Sequence, residues 1–293
     1  MMTVADSRPR GLPRRAALAG AACLSLAPGR AAARWTADWT FEGYARAMQA
    51  SGRRTDLDAK SFAQVRQRRV HVLQQLETWL KGELGTADPD VMRAFGEVPR
   101  EYYHYNYGGN WSFARDAWDW YPRPWAIGYG STLSQLLVQA YMTQLVRPKP
   151  GDTALEIGTG SGYQVSILSR IARKACSIEI IEPLGTAVGR IFRPLGFDNV
   201  ETRVGDGYYG WPEEKDGFDV IMVTCAAQHV PPDLLRQLKP GIGRLVVPVG
   251  QPFKGEQFLY LFTKDPDGRV RSRRDIGVVF IPMTGRIQKT ENR

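Results

Sequence analysis

Leu155-Glu156-Ile157-Gly158-Thr159-Gly160-Ser161-Gly162-Tyr163 is the stretch that decides the fold. An apolar run, Thr153-Ala154-Leu155, leads into it, and Val165, Ile167, Leu168 and Ile171 follow at helical spacing. The pattern predicts a strand, a tight loop and a helix. Glycines permit positive φ and let a ligand approach the backbone. The start of the helix adds unpaired N–H groups and a partial positive charge. A dinucleotide fingerprint reads G-x-G-x-x-G, whereas this loop reads G-x-G-x-G, with Tyr163 where the last glycine belongs. Glu156, two residues before the first glycine, suits a cationic ligand and would repel a pyrophosphate. The blander reading is an ordinary glycine-rich β–α turn.

Working outward, strands and helices alternate. A second strand, 177–181, carries Glu179; a third, 199–204, runs into Gly205-Asp206-Gly207; a fourth covers 218–223 and a fifth 244–249. A final pair is expected at 257–263 and 278–281. This alternation predicts an α/β fold: a doubly wound, Rossmann-like sheet, mostly parallel with an antiparallel strand near the C-terminus, plus an N-terminal helical extension. Ligands bind beyond the carboxyl ends of such strands. There, Glu179 can accept from ribose hydroxyls and Asp206 from an exocyclic amine. The loop with Glu156 ahead of its glycines is similar to motif I of the class I S-adenosylmethionine methyltransferases. Taken in order, Glu156, Gly158, Gly160, Glu179 and Asp206 form a set shaped for adenosine. Any one of these acids alone would be a surface acid or a cap.

The chain is 293 residues long and 43% hydrophobic, enough for one large domain with an appendage. Its net charge of +9 lies in the two tails, and the body between them is balanced, so no nucleic-acid partner is expected. Three cysteines and three scattered histidines lack metal-ligand spacing, so no metal is expected. No apolar run approaches the ~20 residues of a membrane span. Residues 1–33 resemble a twin-arginine export signal. Arg14-Arg15 precede a small apolar stretch, and Ala31-Ala32-Ala33 offers a cleavage site. That places the protein in the periplasm if the leader functions; a disordered extension, with the protein in the cytoplasm, is the alternative. Residues 34–90 form the helical extension, with a helix predicted from Asp58 to Leu84 and stopped by Gly85 and Pro89. Residues 91–293 form the main domain: 126–150 an acceptor-site segment and helix, 151–250 the cofactor-binding core, 251–293 C-terminal strands and tail. Between 102 and 126 aromatic residues crowd among glycines and prolines. A packed lid with some substrate contact is expected there. Thr132 or Ser134 either caps the helix that follows or serves the site.

Residues 91–285 resemble the protein-L-isoaspartate O-methyltransferase family. The matching stretches include Val98-Pro99-Arg100-Glu101, 127–135 (IGYGSTLSQ), 155–164, Gly205-Asp206-Gly207, 223–227 (VTCAA) and 280–283 (FIPM). The segment at 127–135 is the specific one. The resemblance implies transfer of a methyl group from S-adenosylmethionine to the carboxylate of isoaspartyl residues in damaged proteins. The ester then cyclises to a succinimide, which allows repair. Thr132 and Ser134 would lie at the acceptor carboxylate; Glu156, Gly158, Thr159, Gly160, Gly162, Glu179, Asp206, Gly207 and Thr224 would hold the donor. The acceptor is already an anion at neutral pH, so no strong general base is required. The protein is expected to be a monomer. Ser131, Leu136 and Val279 depart from the family's usual residues, which leaves open a carboxylate on another peptide or small acid, or a non-catalytic binding protein.

Overall fold

A computed structural model describes residues 39–120, 123–251 and 255–290. The leader expected over 1–33 lies outside them. Helices come first, each with its own boundary signals. Thr40 caps α1 (Phe41–Ala50) by accepting from the Gly43 amide. Asp58 and Ser61 form a reciprocal capping box at the start of α2 (Ala59–Leu84), and Gly85, at φ 74°, ends it. Its buried face, Phe62, Val65, Val72, Leu73, Leu76 and Leu80, keeps the helical repeat visible in the sequence. Asp88 caps α3 (Pro89–Glu97). The division expected at residue 90 falls inside α3. One buried apolar cluster runs from Tyr44 and Phe62 through Phe95 to Val165, Val220 and Val278, so the extension shares the core of the main domain. No described helix is long and apolar enough to cross a membrane.

Buried charge ties these layers together. Glu101 accepts hydrogen bonds from the indole Nε1 of Trp39 and of Trp118, at 2.7 Å each, and Arg69 lies 4.0 Å from it. Arg69 also donates to the Gly96 carbonyl. Arg53 donates to the Tyr102 carbonyl at 2.7 Å and lies 4.0 Å over the Tyr102 ring. The aromatic stretch is thereby drawn inward. It folds as a hairpin of β1 (Tyr105–Asn106) and β2 (Trp111–Ser112) between short 3-10 turns. Tyr102, Tyr103, Tyr105, Phe113 and Trp118 are core residues, while Trp111 is exposed.

A second hairpin, β3 (Trp125–Gly128) and β4 (Ser131–Leu133), carries the acceptor segment. Gly128 lies backbone to backbone on Gly108, where a Cβ would come within 2.3 Å of the Gly108 nitrogen. Helix α4 (Leu136–Val146) follows with Gln135 at its N-cap and no side-chain cap bond. Neither Thr132 nor Ser134 caps it, which leaves both hydroxyls for the site.

The sheet then assembles from β5 (Thr153–Ile157), β6 (Lys174–Glu179), β7 (Val200–Val204), β8 (Val220–Val223), β9 (Arg244–Val249), β10 (Gln257–Lys264) and β11 (Val270–Val278), in the order β11-β10-β9-β8-β5-β6-β7. The five strands from β5 to β9 are parallel; β10 is antiparallel to both neighbours. Helices α5 (Tyr163–Ile171), α6 (Glu182–Val188) and α7 (Pro232–Arg236) connect them. The chain leaves β5 toward β6 and β7, then crosses back to β8, so the strand order reverses beside β5. That is where an α/β sheet opens a ligand crevice. The last strand corrects the expectation of 278–281. It occupies 270–278, including the basic cluster Arg271, Arg273 and Arg274, most of it exposed. As an edge strand it carries charge instead of apolar alternation, which blunts edge-to-edge pairing and hides it from a hydrophobicity reading.

Glu101→Ala would strand the Arg69 guanidinium and two indole N–H groups in the core. The expected loss is about 3–5 kcal/mol in urea unfolding. A loss under about 1 kcal/mol would show that this buried cluster does not hold the layers together.

Candidate active site

Beyond the carboxyl ends of β5, β6 and β8 lies a cavity of about 210 Å³. One wall is the glycine loop, with Glu156, Gly158, Thr159, Gly160, Ser161, Glu179, Gly207 and Thr224. The facing wall is the turn and strand Tyr129 to Ser134 together with Gln139 from α4. Residues 281–284 close a third side. Sequence positions 129–134 and 156–161 therefore meet across one cleft, although a helix and a loop separate them in the chain.

Packing shapes the loop closely. Gly158 sits at φ 95°, and a Cβ there would come within 2.8 Å of Thr224 Oγ1. That hydroxyl hydrogen-bonds to the carbonyls of Ile157 and Gly158, at 3.0 and 2.8 Å, so Thr224 locks the strand end in place. A Cβ on Gly207 would strike Ile157 Cγ2 at 2.3 Å. Gly162 corrects the sequence reading. It does not line the cavity; it opens α5 at φ 85°, where a Cβ would meet Phe192, Ile191 and Val188 at 2.9–3.0 Å. Its smallness serves helix packing, not ligand approach.

Two carboxylates stand under the loop. The Ser177 hydroxyl donates to Glu156 Oε2 at 2.7 Å and accepts from Thr159 Oγ1 at 2.7 Å. Thr159 thus turns its hydroxyl into the floor. Glu179 accepts from the Gly160 amide at 2.9 Å and from the Ile181 amide at 3.0 Å, which splints the loop to the end of β6. Burial pushes the Glu156 carboxyl well above the usual carboxylate range; the Ser177 bond opposes this and the neighbouring Glu179 charge adds to it. Burial likewise raises Glu179, against its backbone donors. Among the described residues neither has an ion-pair partner, so burial disfavours their ionisation and a cationic ligand would favour it.

Asp206 is placed differently from its expected role. Its two oxygens accept from the Tyr208 amide at 2.9 Å and the Arg286 amide at 2.7 Å. It caps a 3-10 turn and fastens the C-terminal segment, and only its neighbour Gly207 lines the cavity. The aromatic residues of 102–120 do not line the cavity; the stretch packs against the acceptor hairpin, with Gly108 on Gly128.

On the acceptor wall, the hydroxyls of Thr132 and Ser134 make no hydrogen bond to another described residue. The Ser134 carbonyl accepts from Arg100 Nη2 at 2.7 Å, and Gln139 Oε1 accepts from Arg100 Nη1 at 2.7 Å. Sequence reasoning missed Arg100, Gln139, Ser161 and Gln164 as site residues. Gln139 and Gln164 had a readable signal: each is a polar side chain between two apolar neighbours of its helix, and each is buried, to 5% and 3% exposure. Thr143 Oγ1 gives its only proton to the Gln139 main-chain carbonyl at 2.7 Å, so it must accept from Gln164 Nε2 at 2.9 Å. The Gln164 amide is thereby oriented, and its Oε1 is left buried in the cavity wall with no donor. Among the described residues no three His, Cys, Asp or Glu side chains gather as a metal-ligating group.

Comparison with known proteins follows the same outline. Residues 72–288 match the profile of the family described as protein-L-isoaspartate(D-aspartate) O-methyltransferase. The protein-L-isoaspartate O-methyltransferase 1 of Nitrosospira multiformis is 55% identical over 162 residues, which cover 55% of this chain and 67% of that one. Its counterpart from Cupriavidus necator is 48% identical over 202 residues, covering 68% and 73%. A solved protein-L-isoaspartate O-methyltransferase superposes with a TM-score of 0.64 at 28% identity, over 75% of this chain and 67% of the other. A Plasmodium falciparum structure, titled as a putative enzyme of this kind in complex with S-adenosyl-L-homocysteine, shares the fold with a TM-score of 0.58 at 24% identity, over 72% and 97%.

A raised carboxyl pKa has a definite sign in stability. Between its value in the unfolded chain and its higher value in the fold, the folded protein binds the proton more tightly. The contribution of Glu156 is therefore most favourable below the unfolded value and is lost as pH rises toward the folded one. Glu156→Gln should flatten this loss and leave the ligand-free protein more stable than the parent at neutral pH. Parallel pH–stability profiles in urea unfolding would contradict the assignment.

Proposed function

We propose a function that starts from one fact: the chain belongs to the protein-L-isoaspartate(D-aspartate) O-methyltransferase family. It transfers a methyl group from S-adenosylmethionine to the free carboxylate of isoaspartyl residues in damaged proteins. The observation that carries this reading is the shared cleft, in which the glycine loop and the Thr132–Ser134 segment face each other.

The donor set fits S-adenosylmethionine. Among the described residues no cation pairs with the buried Glu156 and Glu179. A sulfonium amino acid brings a cationic centre and an ammonium, complementary to these groups; a dinucleotide pyrophosphate does not. When bound, S-adenosylmethionine supplies an electrophilic methyl group. Glu179 takes the ribose hydroxyls through the lone pairs not used by Gly160 and Ile181. Gly158 and Gly160 leave the backbone open to the methionine portion, with Thr224 and Thr159 fixing the loop from behind. Gly207 lends a flat face for the adenine, and Asp206 acts at one remove by holding that turn.

Acceptor chemistry asks little proton transfer of the protein. The carboxylate arrives as an anion, so the work lies in stripping its water and holding it in line. Short hydroxyls do this without a competing charge, and Thr132 and Ser134 are the hydroxyls on that wall. The monomer is the proposed working unit. The proposed export of the protein rests on Arg14-Arg15 and the Ala31-Ala32-Ala33 site; finding the full-length chain only in the cytoplasmic fraction of a host with twin-arginine transport would refute it.

The decisive assay compares transfer of labelled methyl groups to an isoaspartyl peptide and to its aspartyl twin. Labelling should be confined to the isoaspartyl member; equal labelling, or none, defeats the reading. In the same assay Ser134→Ala should lower kcat/KM by about 10- to 100-fold, the worth of one hydrogen bond to a charged group, while calorimetric affinity for S-adenosylmethionine stays within about twofold.

A further inference from the structure

Arg100 is fully buried, yet among the described residues no carboxylate pairs with it. Its neighbour Glu101 points the other way, to Trp39, Trp118 and Arg69. The guanidinium lies 4.8 Å from the centre of the Tyr163 ring and donates to two neutral oxygens, the Ser134 carbonyl and Gln139 Oε1. A buried cation with no counter-ion is costly unless something else compensates it. A glutamate at position 139 would supply that counter-ion at the same length. The chain instead has glutamine, which leaves a net positive charge beside the acceptor wall.

The choice of glutamine has a second consequence. A guanidinium only donates, so Arg100 dictates which way the amide of Gln139 turns. Oε1 must face Arg100, and Nε2 is left without a partner among the described residues, on a side chain that lines the cavity next to Ser134. This is the opposite polarity to Gln164, whose oriented amide leaves its oxygen without a donor.

We propose that Gln139 binds the acceptor carboxylate through Nε2, and that Arg100 is the positioning residue that holds this amide in its donating orientation and supplies the compensating positive charge. This rests on the isoaspartyl reading above. It adds a recognition group that acts alongside Thr132 and Ser134, and it explains why α4 carries an uncharged polar residue opposite a lone arginine. The ligand class is a carboxylate anion; a neutral ester or amide in its place would gain less from either group.

The test measures binding and turnover in two variants. Gln139→Met keeps the length and removes the donor; Gln139→Glu presents oxygen to the cleft and gives Arg100 its missing counter-ion. The probe is the isoaspartyl peptide, bound in the presence of S-adenosylhomocysteine and followed by fluorescence anisotropy. The peptide Kd should rise about 10-fold for Gln139→Met and about 100-fold for Gln139→Glu, with matching rises in KM and a smaller change in kcat. Affinity for S-adenosylhomocysteine should stay within about twofold in both. Gln139→Glu should also unfold at the same urea concentration as the parent or a higher one, so that stability and peptide affinity move in opposite directions, which a purely structural role cannot produce. If both variants bind the peptide like the parent, the role of Gln139 is overturned and the isoaspartyl reading stands. If the parent itself does not bind the peptide, that reading falls and this inference falls with it.

Discussion

The site depends on two carboxyl groups buried under a glycine loop with no cation beside them among the described residues. Glu156 and Glu179 lie at the carboxyl ends of adjacent parallel strands, β5 and β6; Glu179 accepts from the loop amide of Gly160 at 2.9 Å, and Glu156 reaches the loop through Ser177 of β6 at 2.7 Å. Because Glu179 holds the Gly160 amide and Glu156 holds Thr159 through Ser177, the loop has little freedom to collapse onto the charge it covers. Two carboxyls are thereby kept in a poorly solvated place, where a ligand of positive charge would favour their ionised form. Preorganisation of this kind costs stability in the free protein, which is the usual bargain at a functional site.

Across the cleft the polarity reverses. Arg100 is a buried cation with neutral partners, and it touches the segment that carries Ser134. Cation-seeking and anion-seeking ends therefore share one cavity, which matches a sulfonium donor on one side and a carboxylate acceptor on the other. Such a field orients two ligands before any chemistry occurs. The N-terminal extension belongs to this arrangement. Arg53, Arg69, Trp39 and Trp118 converge on Tyr102 and Glu101, immediately after Arg100, so the extension fixes the strap from which Arg100 reaches the acceptor wall.

Much of this was legible in the sequence because it follows from local rules. The strand–loop–helix at 155–163 needs only a change of period and three glycines. Asp58 and Gly85 announce the ends of α2, and Glu179 stands at its expected strand end. What escaped the sequence depends on tertiary placement. Gly162 reads as a loop glycine, but its constraint comes from Val188, Ile191 and Phe192, about thirty residues downstream. Asp206 reads as a ligand acid, but it stands off the cavity lining, where it accepts from the amides of Tyr208 and of Arg286, eighty residues away. The aromatic run at 102–120 reads as a lid because its anchors, Arg53 and Arg69, lie in the extension. β11 was displaced because an edge strand of alternating arginines has no apolar period to find. Gln139 and Gln164 were visible as polar side chains between apolar neighbours, but only their partners, Arg100 and Thr143, show which way each amide is turned.

The buried carboxyls under the glycine loop receive a cationic donor. Proton-coupled calorimetry tests this most directly. Binding of S-adenosylmethionine would be measured in buffers of different ionisation enthalpy, at mildly acidic and at alkaline pH. Below the raised carboxyl pKa values the free site is protonated in part, so binding the cation should release protons to the buffer and tighten as pH rises; at alkaline pH the release should vanish. Glu156→Gln should reduce the release. Binding that neither releases protons nor strengthens with pH would contradict the account.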